Sequence, residues 1–184
     1  MRRSIGLEEP GAPDVDITRM KRRHIRGVMA IERRVYPRPW TPSLFTSEIT
    51  AGRTRCYLVA QAGGTVVGYG GLMCYGDEAH VTNIAVEPEQ HRRKIGTRLL
   101  YELIREAQRM GATAVSLEVR VSNWPAQRLY GHFGFRPVGV RKGYYQETNE
   151  DALVMWTDDI RTPEYDRLLE GVIEQVPEGI RPRP

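Results

Sequence analysis

The chain has 184 residues, 40% of them hydrophobic and 27% charged, which is the length and balance of one soluble globular domain with tails. No apolar run approaches the ~20 residues of a membrane-spanning helix, and the basic start MRRSIGLEEPGAPD lacks the apolar core of a secretory signal. The net charge of +4 is too small an excess for sequence-reading of nucleic acid; it fits an anionic small ligand or loose attraction to a ribonucleoprotein surface.

Residues 1–14 read as a flexible lead without periodicity. VDITRM (15–20) alternates as a strand. KRRHIRGVMAIERRVY places Ile25, Val28, Met29 and Val35 near helical spacing, and PRPW ends that helix. TPSLFTSEITAG reads as a second short helix, with Thr41 as N-cap, Pro42 in the first turn and Gly52 as its stop. RCYLVAQ and TVVGYGGLMCY follow as strands joined by the turn AGG, and AHVTNIAVEP is a further strand closed by Pro88. Cys56 and Cys74 fall in these apolar strands with no C-x-x-C spacing, so buried free thiols in a cytoplasmic protein are expected.

From Gly96, the residues Leu99, Leu100, Leu103, Ile104 and Ala107 form one helical face that stops at Gly111. AVSLEVR is the next strand, WPAQRLYGHFG a short helix, and FRPVGVRKGYY with DALVMWT a closing hairpin. Hairpins followed by β-α-β units imply an α/β protein with one mixed sheet and helices on both faces, spanning residues 15–157. Residues 158–184 add a helical stripe of Tyr165, Leu168, Leu169, Val172, Ile173 and Val176. That stripe fits a helix docked on its own domain, or a surface for self-association or a partner.

The stretch EQHRRKIGTRLL, after a strand that ends at Val86, opens a helix. A helix N-terminus offers unpaired backbone N–H groups and partial positive charge, which together hold phosphate. Arg92, Arg93 and Lys94 add charge there. Read alone, the stretch is equally a solvated basic turn.

NIAVEPEQHRRKIGTRLL followed by LEVRVSNWPAQRLYGHFGF resembles the core of the GNAT acetyltransferases. In that family the turn carries Q/R-x-x-G-x-G/A and cradles the diphosphate of acetyl-CoA. Here His91 stands at its first position, Lys94 at its first glycine, and Gly96 is retained. The similarity is greatest to the RimI-like ribosomal-protein-alanine N-acetyltransferases, through Asn83 to Val86, Leu117 to Arg120, Ser122 and Asn123, Ala126 with Leu129 and Tyr130, Gly134 and Phe135, Arg141 with Tyr144 and Tyr145, and Pro39 and Trp40. It covers residues 15–157.

The resemblance implies a GNAT fold, a central mixed, mostly antiparallel sheet with helices on both faces. It implies acetyl-CoA as co-substrate, no metal, and a protein N-terminus, such as that of a ribosomal protein, as acceptor, with direct attack in a ternary complex. Glu118 matches the general base; partial burial is expected to raise its pKa into the useful range. Tyr130 matches the acid that protonates the departing thiolate. Ile84, Ala85 and Val86, the turn Arg92, Arg93, Lys94, Ile95, Gly96 and Thr97, and Asn123 match cofactor contacts, with the Val86 N–H as oxyanion donor beside a bulge. Asn123 contacts the cofactor or caps the short helix. Trp40, Tyr144 and Tyr145 frame the acceptor peptide or pack the core. His24, His80, His91 and His132 lack metal-ligand spacing and read as surface or turn residues. Two alternatives stand: the same fold acting on a lysine or small amine, and an interaction module weak in catalysis.

Overall fold

The computed structural model describes residues 13–183. Of the expected N-terminal lead, residues 1–12 therefore lie outside the described residues. The elements run β1 (Val15–Arg19), α1 (Ile25–Val35), α2 (Pro42–Thr50), β2 (Arg55–Ala62), β3 (Thr65–Tyr75), β4 (Glu78–Val86), α3 (Ile95–Arg109), β5 (Ala114–Arg120), α4 (Trp124–His132), β6 (Arg136–Tyr145), β7 (Glu150–Trp156), α5 (Pro163–Ile173) and β8 (Ile180–Pro182). One eight-stranded sheet has the order β6-β7-β5-β4-β3-β2-β1-β8. Its pairings are antiparallel except β4–β5 and β1–β8.

Local signals explain most boundaries. The Thr41 side chain accepts the Leu44 N–H, and Pro42 opens α2. Helix α2 ends at Thr50, and Gly52 begins a 3-10 turn after it. Gly111 takes φ +89° after α3, a left-handed value that glycine adopts without strain. The first helix is shorter than its pattern: Arg22–His24 form a 3-10 turn before α1. Helix α3 is the hub of one face, with Leu99, Leu100, Leu103, Ile104 and Ala107 fully buried against β2, β3 and β4. Helices α1 and α2 cover the opposite face with Val28, Met29, Ile31 and Phe45.

Tyr165, Leu169 and Val172 of α5 bury in the same core as α3, as does Val176 beyond it. Strand β8, unread in the sequence, pairs with β1 at the sheet edge. The apolar stripe of the tail is thus covered by the chain's own sheet and helices. No described helix is long and apolar enough to cross a membrane.

The site is prepared by a bulge in β4. Gly71 pairs with Asn83 but Leu72 with Val81, so Thr82 is the extra residue. Before it, Ala79 and Val81 bury toward α3; after it, Ile84 and Val86 do so, a reversal of phase. Tyr57 holds the bulge, its hydroxyl 3.0 Å from Thr82 Oγ1 and 3.0 Å from Glu48 Oε2. Gly71 leaves room for that ring: an added Cβ would lie 2.1 Å from Tyr57 Cε1.

Candidate active site

Strand β4 pairs with β5 only from Glu78 to His80, opposite Ala114 to Ser116; beyond that the two strands part. In an antiparallel ladder the hydrogen bonds alternate. Glu87 N–H donates to Val67 O at 2.9 Å, so the pairs Gly68–Val86 and Gly70–Ile84 turn their amides and carbonyls away from β3. The carbonyls confirm this: Ile84 O accepts the Tyr36 hydroxyl and Val86 O the His91 Nε2–H, each at 3.1 Å. The Val86 amide therefore faces the opening between β4 and β5.

Glu118 and Tyr130 meet in a cleft of about 350 Å³, lined also by Trp40, His80, Asn83, Ile84, Asn123, Tyr144 and Tyr145. The Glu118 side chain is only 9% exposed, with Oε2 3.0 Å from His80 Nε2 and Oε1 3.1 Å from Arg141 Nη1. The His80 hydrogen bond, the largest influence, together with the Arg141 guanidinium outweighs desolvation and holds the Glu118 carboxyl below its ordinary range. This corrects the expected rise: burial acts in that direction, but two cationic or donating partners prevail. His80 is likewise no surface histidine. It stands on β4 over the cleft, and with Nε2–H donated to Glu118, Nδ1 accepts the Ser116 hydroxyl at 3.0 Å. His24 is also buried, its Nδ1 accepting the Lys21 N–H at 3.1 Å; His91 and His132 are exposed.

Tyr130 is 8% exposed, its ring 5.8 Å from that of Phe135. Burial pushes its phenol pKa up, so it stays protonated. Its hydroxyl has no hydrogen-bond partner among the described residues. Asn123 is the N-cap of α4, its Oδ1 accepting the Ala126 N–H at 3.2 Å, and it also lines the cleft. Trp40 packs on Phe45 and Tyr57 with centroids at 5.2 and 6.5 Å, so it is both core and wall. Tyr144 and Tyr145 meet edge to face at 5.1 Å. Arg120 stacks 3.8 Å over Tyr145 and bonds Glu147 at 2.6 Å, pinning the β6–β7 turn to β5. Asn83 Nδ2 is buried without a hydrogen-bond partner in the same cleft.

The turn before α3 lies outside this cleft, at the end of β4. Arg92 and Lys94 adopt φ +62° and +63°, the left-handed region. Lys94 occupies the N-cap of α3 with no side-chain cap, and the first intrahelical bond is Arg98 N–H to Lys94 O at 3.0 Å. The amides of Ile95, Gly96 and Thr97 thus precede the helical ladder. The Ile95 side chain is core, as is Ala85 on the opposite face, so both can contact a ligand only by backbone. The Arg93 guanidinium is engaged by Gln90 and by the Pro13 carbonyl at 2.7 Å.

A lysine in the left-handed region costs roughly 1 kcal/mol over glycine. Lys94→Gly is therefore expected to raise stability by at most about 0.5 kcal/mol in urea unfolding, after the unfolded-state entropy of glycine is subtracted. A less stable variant would mean that the Lys94 side chain holds the turn.

Cys56 and Cys74 are buried free thiols, and burial pushes Cys56 up to about 12, which leaves it no nucleophilic thiolate. No three metal-ligating side chains come together among the described residues. A buried carboxylate–imidazole pair, a protonated phenol and free amides at a strand opening and a helix start suit transfer of an acyl group to an amine. Comparison with known proteins gives that class its family. The model of the acetyltransferase (GNAT) family matches residues 25–135, and the chain belongs to that family. It is 35% identical over 127 residues to the ribosomal protein bS18-alanine N-acetyltransferase of Escherichia coli K12, covering 68% of this chain and 84% of the relative. It is 40% identical over 124 residues to the N-alpha-acetyltransferase RimI of Mycobacterium tuberculosis, covering 65% and 76%. The crystal structure of the ribosomal-protein-S18-alanine N-acetyltransferase from Escherichia coli superposes with a TM-score of 0.72 at 30% identity, over 82% of this chain and 97% of that one.

Proposed function

We propose that this chain is an acetyl-CoA-dependent Nα-acetyltransferase that modifies the N-terminal amine of a protein, with a ribosomal-protein N-terminus as acceptor. The observation that carries the reading is the convergence of Glu118, His80 and Tyr130 on one aromatic cleft, in a chain 35% identical to an enzyme named for that reaction. Acetyl-CoA, when bound, supplies the acetyl group as an activated thioester. The turn fits its diphosphate: the amides of residues 95–97 precede the α3 ladder, with Arg92 and Lys94 beside them. The chain's own packing does not demand glycine at 96, where an added Cβ would sit 3.7 Å from Leu129 and Val86; a ligand drawn close to those amides would supply the reason.

The Val86 N–H polarises the acetyl carbonyl as charge develops on its oxygen. The neutral amine attacks directly, forming the C–N bond as the C–S bond breaks. Its proton passes to the Glu118 carboxylate, which the His80 Nε2–H and the Arg141 guanidinium hold in place. Tyr130 gives its proton to the departing sulfur. Trp40, Tyr144 and Tyr145 enclose the first residues of the acceptor. The two unpaired buried thiols are in keeping with a cytoplasmic setting.

A peptide beginning with alanine and containing an internal lysine tests the acceptor. Acetylation confined to the free N-terminus, read by fragment masses, is the expected result; modification that persists when the N-terminus is blocked would assign the enzyme to side-chain amines. His80→Gln replaces the ring that holds Glu118 with a shorter, more flexible amide. Turnover is expected to fall roughly tenfold to a hundredfold with little change in peptide KM. An unchanged rate would show that Glu118 needs no imidazole beside it.

A further inference from the structure

The chain's positive excess is concentrated in one short segment. Residues 21–34 hold six Lys/Arg against one Asp/Glu, while the rest hold twenty-one against twenty-two. The single acid, Glu32, is buried on the inner side, bonded to Tyr69 and accepting the Trp40 N–H at 2.9 Å. Arg34 is paired with Glu87 and Glu89. That leaves Lys21, Arg22, Arg23, Arg26 and Arg33 exposed and without a carboxylate partner among the described residues. Lys21 and Arg23 lower the pKa of buried His24, after desolvation, a local sign of the same positive field.

The five cations are not scattered. Arg22, Arg26 and Arg33 line one open groove of about 580 Å³ between α1 and α2, with Ile25, Met29 and Pro42 as its floor. Arg26 and Arg33, seven residues apart, share one face of α1 at a spacing of about 10 Å. Arg23 and Arg26 border the neighbouring hollow near Gln61 and Gly64. The helix carrying them runs directly into Tyr36, Arg38 and Trp40, which line the acetyl-acceptor cleft. A cationic track therefore leads along the outside of α1 to the mouth of the site.

We propose that this face of α1 docks on the phosphate backbone of structured RNA, so that an acceptor N-terminus carried on a ribonucleoprotein reaches the cleft while RNA lies along Arg22, Arg26 and Arg33. The proposal rests on the ribosomal acceptor for its purpose but not for its test. Arginine guanidinium forks suit phosphate oxygens, and the contact is one of charge, reading no sequence. Each phosphate neutralised releases condensed counterion, so log affinity falls with log salt by roughly 0.9 per contact on a duplex.

The experiment is fluorescence anisotropy of the full chain with a labelled twenty-base-pair RNA duplex over a salt series, beside acetylation of a free peptide. The wild type is expected to bind with a slope of about −3 to −5. Arg22→Ala/Arg26→Ala/Arg33→Ala should bind at least tenfold more weakly at low salt and lose roughly three from the slope, with peptide turnover unchanged. A control of equal charge loss, Arg161→Ala/Arg167→Ala/Arg183→Ala, should keep the affinity. The single reversal Arg26→Glu, with its melting temperature measured in parallel, repeats the test if the triple variant folds poorly. Equal loss in the control, an unaltered slope in the triple variant, or stronger binding to polyglutamate than to RNA would overturn the proposal. Failure of peptide acetylation in the wild type would instead remove the proposed enzymatic function and leave RNA binding to be judged on its own.

Discussion

Glu118→Gln is expected to lower turnover on an N-terminal peptide by about 10²- to 10⁴-fold while leaving acetyl-CoA binding intact. The amide fills the same space on β5 but removes the charge that faces His80 Nε2 and Arg141 Nη1 at 3.0 and 3.1 Å. Because Glu118 and His80 act as one unit, the loss should not add to that of His80→Gln; the double variant is expected near the worse single one. The pH dependence follows from the direction of the shift. The folded-state pKa of Glu118 lies below its ordinary value, so the carboxylate is ionised across neutral pH and adds no acid limb there. The acceptor α-amine, with a pKa of ~8, is mostly protonated at pH 7. The wild-type rate at limiting peptide should therefore climb from pH 6 to 8 and then level. Glu118→Gln should lower the plateau without removing the climb. A near-normal rate on the peptide would take Glu118 out of the proton path.

The elements of this fold were legible because their signals are local. The α3 stripe, the Thr41 cap, Gly111 and the closing hairpin each depend on residues within one turn or one pair of strands. Glu118 and Tyr130 were legible through motif resemblance, and both face the cleft. What escaped depends on residues far apart in the chain. His80 reads as an ordinary alternating position, and only the parting of β4 from β5 after His80 and Ser116 brings its ring over Glu118. The bulge at Thr82 reverses the strand's phase, and it is held by Tyr57 and Glu48 from elsewhere in the chain. The depressed Glu118 pKa needs His80 and Arg141 from two other strands. Strand β8 is three residues ending in proline, which no periodicity reveals; it exists because β1 offers an edge.

Tyr130→Phe separates chemistry from packing. The phenylalanine keeps the ring against Phe135, 5.8 Å away, and removes a hydroxyl with no partner among the described residues. Deleting a hydroxyl that has no protein partner costs no intramolecular hydrogen bond. Stability in urea should therefore change by less than about 0.5 kcal/mol. Turnover should fall by roughly 10²-fold, with KM for the peptide little altered, because the phenol acts on the leaving sulfur and not on the acceptor. The raised phenol pKa keeps the proton in place through neutral pH and makes donation uphill until charge builds on sulfur, so the contribution is realised mainly in the transition state. If the hydroxyl served only to pack α4 on the sheet, kcat would survive the substitution and stability would drop. A stable protein with a collapsed kcat is the result that assigns Tyr130 to the leaving group.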